Sequence, residues 1–439
     1  MRNRIVLTIA GLFVALFLLN RLSFAPLQAQ QQKPTPTPTP GKPKLPKLTS
    51  RVLLISISGL RNDYANSPDT FRLKIPNIQS LRSKGSYAVG LESVYPSQTF
   101  PAHASLMTGA LPADHGITSD YSFDEQTGAQ SSTFQSAKAI KSDTIWEAAK
   151  RENLVTAAVG FPLTDEANIT FNFPELANSS DKAKAEKAIG LIEKSNLNLL
   201  LVNFTSFANA QRRFGLLSEE SKSALELIDG LVSKILAAIE HAKLTSETTF
   251  LILSDHGASK VEREFRPNAL LAKKGFLTAD SQGNVKSWKA VAQSFGGSAG
   301  IFMKNPQDET LARELETLFT ELQEKSDDNP LWRITARREA ARLGADHRPV
   351  FYLDAAPSFQ ISAHATGSTI SKTEDRSASG YLPSRAEMRA AMIISGKGIK
   401  TGKRIEYARM IDIAPTIARL LGFEMKTARG RVLSEVIAQ

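Results

Sequence analysis

The run Thr248-Thr-Phe-Leu-Ile-Leu-Ser-Asp-His-Gly257 is a short apolar segment that ends in an Asp-His pair and a glycine. Thr248 to Ser254 has the length and composition of a strand buried on both faces, and the glycine leaves room for a close turn where that strand stops. Four other segments share the pattern: Val52 to Ser56, Val155 to Gly160, Asn198 to Phe204 and Ala390 to Ile394. Between them lie helix candidates at Asn77 to Lys84, Asp143 to Arg151, Asp181 to Lys194, Glu219 to Ala242 and Ile413 to Leu421. Strand, helix, strand in that rhythm predicts an α/β fold with a mostly parallel central sheet and helices on both faces. Such sheets bind ligands outside the carboxyl ends of their strands. Chemistry is therefore expected at Ser56-Ile-Ser-Gly59, Phe204-Thr-Ser206 and Ser254-Asp-His-Gly257. Taken alone, an Asp-His after a strand is more often a hydrogen-bonded turn than a ligand pair.

The chain has 439 residues, 42% hydrophobic and 22% charged, enough to bury a large core. It lacks cysteine, which excludes disulfides, thiolate metal sites and cysteine nucleophiles; any metal needs His, Asp or Glu. The net charge of +10 is concentrated in residues 1–50, which carry seven basic residues and no acid, leaving only +3 for the remainder. The body thus has no cationic character that predicts nucleic-acid binding. Arg2 and Arg4 precede the apolar run Ile5 to Leu19, which reads as an export signal over residues 1–29, either cleaved or kept as an anchor. Fifteen helical residues reach about 22 Å, short of the roughly 30 Å hydrocarbon core. Residues 30–50 are expected as a Pro/Thr/Lys-rich linker, since the prolines of Lys33 to Lys47 favour a stiff, extended stalk. Membrane contact is expected only through the N-terminal segment. The core is expected at 51–259 and 381–439, with a smaller lobe inserted at 260–380.

Tyr95-Pro-Ser-Gln-Thr99-Phe-Pro101-Ala-His103 places Pro101 in the first turn of a helix that Gly109 stops, with Thr99 at or next to the N-cap. A hydroxyl there either only caps, worth about 1 kcal/mol, or faces free N–H groups that suit a phosphoryl group. Taken in order, Ile55-Ser-Ile-Ser-Gly-Leu-Arg61, Ile75 to Leu81, Tyr95 to His103, Thr108-Gly109, Pro112-Ala-Asp-His-Gly-Ile117, Ser254 to Gly257, Gly380-Tyr-Leu-Pro383 and Met410-Ile-Asp-Ile-Ala-Pro415 resemble the nucleotide pyrophosphatase/phosphodiesterase (type I phosphodiesterase) family of the alkaline phosphatase superfamily, over roughly residues 50–425.

The resemblance implies a two-zinc site with Thr99 as nucleophile. One metal would be held by an Asp of the first strand-end motif together with Asp255 and His256. The other would need an Asp, a His four residues later and a His before Gly380-Tyr381. This sequence departs from that pattern: Ser58, Ala208, Arg212 and Ser379 stand at four of the six ligand positions. The phosphate-binding Asn expected twenty-one residues after the nucleophile is Asp120. The resemblance with these replacements implies zinc bound weakly or not at all and a weakly active or non-catalytic homologue. Its old cleft is expected to take a phosphate ester, another anionic small ligand or a partner, with Asp120 and Arg212 as binding residues. Arg212 is expected to point into the lost metal position and pair with Asp255 or Asp120.

The alternative is an active metal-dependent hydrolase using Thr99 with an altered or single-metal site, recruiting His364, Glu374 or Asp375. His103 and His115 read as motif packing, and His241 and His347 as exposed. Gly296-Gly-Ser298-Ala-Gly300 fits G-x-S-x-G, but the strand-like Gly300 to Lys304 follows it where a nucleophile elbow needs a helix. A stalked structural protein is the remaining class, one the stalk permits but the cleft does not suggest.

Overall fold

The computed structural model describes residues 45–133, 136–325 and 328–438. The expected export segment and the linker up to residue 44 lie outside them. Leu45–Gln439 forms one compact unit. Its central sheet contains β1 (Arg51–Ile57), β2 (Ser86–Ala88), β3 (Thr156–Val159), β4 (Phe171–Phe173), β5 (Leu199–Phe204), β6 (Thr248–Leu253), β7 (Met392–Gly396) and β8 (Arg404–Ile405), in the order β8-β2-β7-β6-β1-β5-β3-β4. β1 runs parallel to β5 and β6, placing Leu54 between Leu201 and Leu251. β3 continues the parallel run, whereas β7 is antiparallel to both β6 and β2.

The two-residue period of a strand explains why β1 is apolar from Val52 to Ile55 and again at Ile57. Val52 and Leu54 enter the core beneath Ile413 and Ile417, while Leu53, Ile55 and Ile57 enter the opposite core with Leu225, Ile228 and Val232. Each such side chain contributes about 1.5–3 kcal/mol by leaving water. The five anticipated helices form within two residues of their expected limits: Pro76–Lys84, Ile145–Arg151, Asp181–Lys194, Glu219–His241 and Ile413–Leu421. Thr144, Ser180 and Ser218 cap three of them through their side chains. The Ala390-to-Ile394 candidate is displaced to Met392–Gly396 because Ala390 bridges Arg61 and Leu91 instead.

The body begins before Arg51. The Leu48 and Thr49 N–H groups both donate to the Leu420 carbonyl, at 2.9 and 3.2 Å, satisfying the end of the Ile413–Leu421 helix. Between β6 and β7, antiparallel strands Ala290–Ser294, Ser298–Met303, Phe351–Ala355 and Leu331–Ala336 form a second sheet. It has its own core, including Phe302, Phe319 and Leu353. Ser298 lies within a strand and donates its hydroxyl to the Gly380 carbonyl at 2.5 Å, so no nucleophile elbow forms.

Two buried ionisable groups hold the loops around the strand ends. The Asp181 carboxylate accepts the N–H groups of Thr205 and Ser206, both at 3.0 Å, and so caps the Ser206–Phe214 helix. It also pairs at 3.4 Å with the fully buried Lys184, whose ammonium is pulled below its ordinary pKa by burial, with Asp181 opposing. Replacing Asp181 by Asn leaves a buried, unpaired cation. A loss of about 3–5 kcal/mol is expected in urea denaturation, and a loss under 1 kcal/mol refutes the pairing.

Asp354 in the second sheet is buried and accepts the Tyr95 hydroxyl at 3.1 and 3.2 Å and the Thr335 hydroxyl at 2.9 Å. Burial pushes its carboxyl up to about 7 from 3.8, against the pull of those hydroxyls. The folded state therefore keeps a proton that the unfolded chain releases near pH 4. The stability this group contributes is complete below about pH 4 and is lost as pH rises through about 7, by roughly 4 kcal/mol. Asp354→Asn should accordingly gain on the native chain between pH 5 and pH 8; parallel stability–pH curves would refute the assignment.

Candidate active site

β1, β5 and β6 deliver Ser58, Thr205 and Asp255 side by side. After β1 the chain turns through Gly59 at φ 76°, where a Cβ would stand 3.2 Å from that of Ala208. The Gly59 N–H donates to Asp255 Oδ1 at 3.1 Å, as do the His256 N–H at 2.9 Å and the Ser254 hydroxyl at 3.2 Å. Asp255 is fully buried. Burial alone would raise its carboxyl, but the neighbouring His256 and His103 imidazoles and these N–H groups outweigh it and hold the pKa below the ordinary value. Its other oxygen, Oδ2, accepts no hydrogen bond and lies 3.4 Å from His256 Nε2 and 3.8 Å from His103 Nδ1.

Thr99 is the first residue of the Thr99–Thr108 helix, one place beyond the N-cap, Gln98. His256 donates Nδ1–H to the Gly257 carbonyl at 2.7 Å, which leaves Nε2 facing the Thr99 hydroxyl at 3.3 Å. An imidazole nitrogen thus sits within hydrogen-bond reach of the candidate attacking oxygen. His103 donates Nδ1–H to the Thr99 carbonyl at 2.8 Å and accepts the Ser56 hydroxyl at 2.9 Å. It steadies the first turn from within the core, as expected of motif packing, and burial lowers its pKa despite Asp255. His115 is equally buried against Ser105, and His241 and His347 are exposed.

Asp120 is half-buried, and its Oδ1 accepts the Phe100 N–H at 2.7 Å, directly over the helix N-terminus. Its own N–H is held by Gln98 Oε1 at 3.1 Å. Withdrawal from water pushes its carboxyl up to about 6, with the Phe100 N–H and His256 pulling the other way. This role for Asp120 and Gln98 is missed from sequence, because partners twenty-two residues apart share no local pattern.

The expected pairing of Arg212 with Asp255 or Asp120 is not what forms. The Arg212 side chain is 71% exposed and pairs with Asp375 at 3.3 Å. Phe207 and Gln211 take the inward face of the Ser206–Phe214 helix, which leaves the long Arg212 side chain toward solvent, and an exposed pair of this kind is worth at most about 1 kcal/mol. Arg212, Asp375, Ser379, Glu374, His364 and Asp120 line one cleft of about 710 Å³. Within it His364 turns to Glu264 at 3.6 Å rather than to Thr99.

The donor set does not match a two-metal centre. Ala208 offers no donor, Arg212 is a cation turned away, and Ser58 gives its hydroxyl to Asn203 at 3.3 Å. Among the described residues no three His, Asp or Glu side chains converge as a cation site. The surviving geometry depends on the left-handed turn. Gly59→Ala, which forces φ 76° on a residue with a Cβ against Ala208, should destabilise by about 1–2 kcal/mol in urea denaturation, and an unchanged midpoint would refute this.

Comparison with known proteins bears on the fold and the motifs together. The family model for type I phosphodiesterase / nucleotide pyrophosphatase matches residues 52–382. Human ectonucleotide pyrophosphatase/phosphodiesterase family member 1 is 26% identical over 221 residues, 48% of this chain and 24% of that protein. An uncharacterized pyrophosphatase/phosphodiesterase of Schizosaccharomyces pombe is 28% identical over 222 residues, 47% of this chain and 44% of that one. The chain thus spans less than half the length of these curated relatives. Murine ectonucleotide pyrophosphatase / phosphodiesterase 5 shares the fold with a TM-score of 0.70 at 17% identity, covering 88% of this chain and 100% of that one. With the strand-end motifs and Thr99 in place, the match over residues 52–382 shows that the chain belongs to the type I phosphodiesterase/nucleotide pyrophosphatase family.

Proposed function

We propose that this is an exported family member whose two-metal centre is degraded, weakly active or non-catalytic, and whose cleft holds an anionic small ligand or a partner. The observation that carries this reading is the second metal position, where Ala208 and Ser379 stand and Arg212 turns to Asp375. A bound metal supplies several kcal/mol of transition-state stabilisation in such hydrolysis, and each 1.36 kcal/mol is tenfold in rate, so loss of both removes most of the turnover. Export rests on the N-terminal apolar segment. No helix among the described residues is long and apolar enough to cross a membrane.

A second reading has its own support. Thr99 Oγ1, His256 Nε2 and the unpartnered Asp255 Oδ2 are spaced 3.3 and 3.4 Å apart, close to the about 3.4 Å between neighbouring ligands of a tetrahedral zinc. A single-metal hydrolase with Thr99 as nucleophile fits that spacing. Zinc content and hydrolysis of an aryl phosphodiester in added zinc separate the two. The first reading expects well under one equivalent of zinc and at most a trace of turnover above a Thr99→Ala control. Metal uptake should rise when Ser58→Asp, Ala208→Asp, Arg212→His and Ser379→His are combined. Turnover abolished by Thr99→Ala with zinc bound would overturn it.

A further inference from the structure

The N-terminus of the Thr99–Thr108 helix presents the Phe100 N–H toward the cleft, and in this chain that donor is already used by the Asp120 carboxylate at 2.7 Å. Asp120 is fixed there, since Gln98 Oε1 holds its N–H at 3.1 Å and Gln98 is itself 5% exposed. A second carboxylate lies beneath this point in the core. Asp255 Oδ2 is buried and unpartnered, 3.4 Å from the imidazole nitrogen that meets the Thr99 hydroxyl. The cation that would have offset these charges, Arg212, is engaged by Asp375.

We propose that Asp120 is a built-in occupant of the anion position beside Thr99 and sets the charge preference of the cleft, so that the floor rejects phosphate and phosphate esters. The helix donor that would bind an incoming oxyanion is satisfied from within the chain, and the Asp120 carboxylate, which lines the cleft, repels any anion that approaches it. This rests on the reading of the cleft as the ligand site and narrows it. An anionic ligand is held on the cleft wall, where Arg212 and Lys372 lie, and not against the attacking hydroxyl. Asp120→Asn keeps an oxygen acceptor for the Phe100 N–H and removes the charge, and Asp120→Ala frees that donor outright.

The test is calorimetric titration of inorganic phosphate into the full chain in chelator at pH 8, with the Phe100 amide followed by NMR in phenylalanine-labelled protein. The native chain should show no phosphate-dependent shift of the Phe100 amide. Asp120→Asn and Asp120→Ala should bind at least about tenfold more tightly and shift that amide. Asp375→Asn, which frees Arg212 on the wall, should leave the Phe100 amide unmoved. Equal phosphate affinity in the native chain and both Asp120 variants, or a Phe100 shift in the native chain, overturns the proposal. Because chelator removes metal from every sample, that outcome is distinct from zinc-dependent turnover, which would instead overturn the proposed loss of the metal centre.

Discussion

Asp255 Oδ1 accepts three hydrogen bonds, from the Gly59 N–H, the His256 N–H and the Ser254 hydroxyl. That single oxygen joins the turn after β1 to the turn after β6, two adjacent parallel strands whose ends would otherwise be separate loops. The position of His256 follows from it, and through His256 the orientation of the Thr99 hydroxyl. Because the carboxylate is fully buried, its accepted bonds are what make its charge tolerable. The arrangement thus holds His256 beside Thr99 through hydrogen bonds of the chain itself.

The replacements around this oxygen are not equivalent in kind. Ser58 turns to Asn203 and leaves the first strand end neutral. Ala208 lets the Ser206–Phe214 helix approach Gly59 closely, a distance that a longer side chain would open. Arg212 moves its charge to the cleft rim, and Asp120 brings a charge inward. Ser58 and Ala208 take carboxylates away from the strand ends, while Asp120 places one on the helix N-terminus and Arg212 pairs its charge with Asp375 at 3.3 Å.

The second sheet is coupled to this floor through Tyr95, whose hydroxyl reaches Asp354, and through Ser298, whose hydroxyl reaches the Gly380 carbonyl beside Ser379. Both links are buried, so the segment between β6 and β7 does more than cover the cleft: it fixes the chain just before Thr99. The Asp181–Lys184 pair does the same for the opposite edge by capping the helix after β5.

Local pattern was enough for the elements that bury large apolar faces. β1, β3, β5 and β6, the five amphipathic helices and the Gly109 stop were all legible because periods of 2 and 3.6 are written in adjacent residues. Short edge strands such as Phe171–Phe173 and Arg404–Ile405 left no such trace, being two or three residues whose pairing depends on neighbours far along the chain. The strand-end and helix-start positions of Thr99, Asp255 and His256 were legible as well, and the structure brings the three within 3.3 and 3.4 Å of one another. The direction of a long flexible side chain was not: Arg212 found Asp375, 163 positions away, because packing of Phe207 and Gln211 decided which helix face looked inward. Sequence by itself determined the fold and the family. Only the tertiary structure decided that Asp120 accepts the Phe100 N–H at the helix terminus and that Arg212 pairs with Asp375, since charges meet through space, not along the chain.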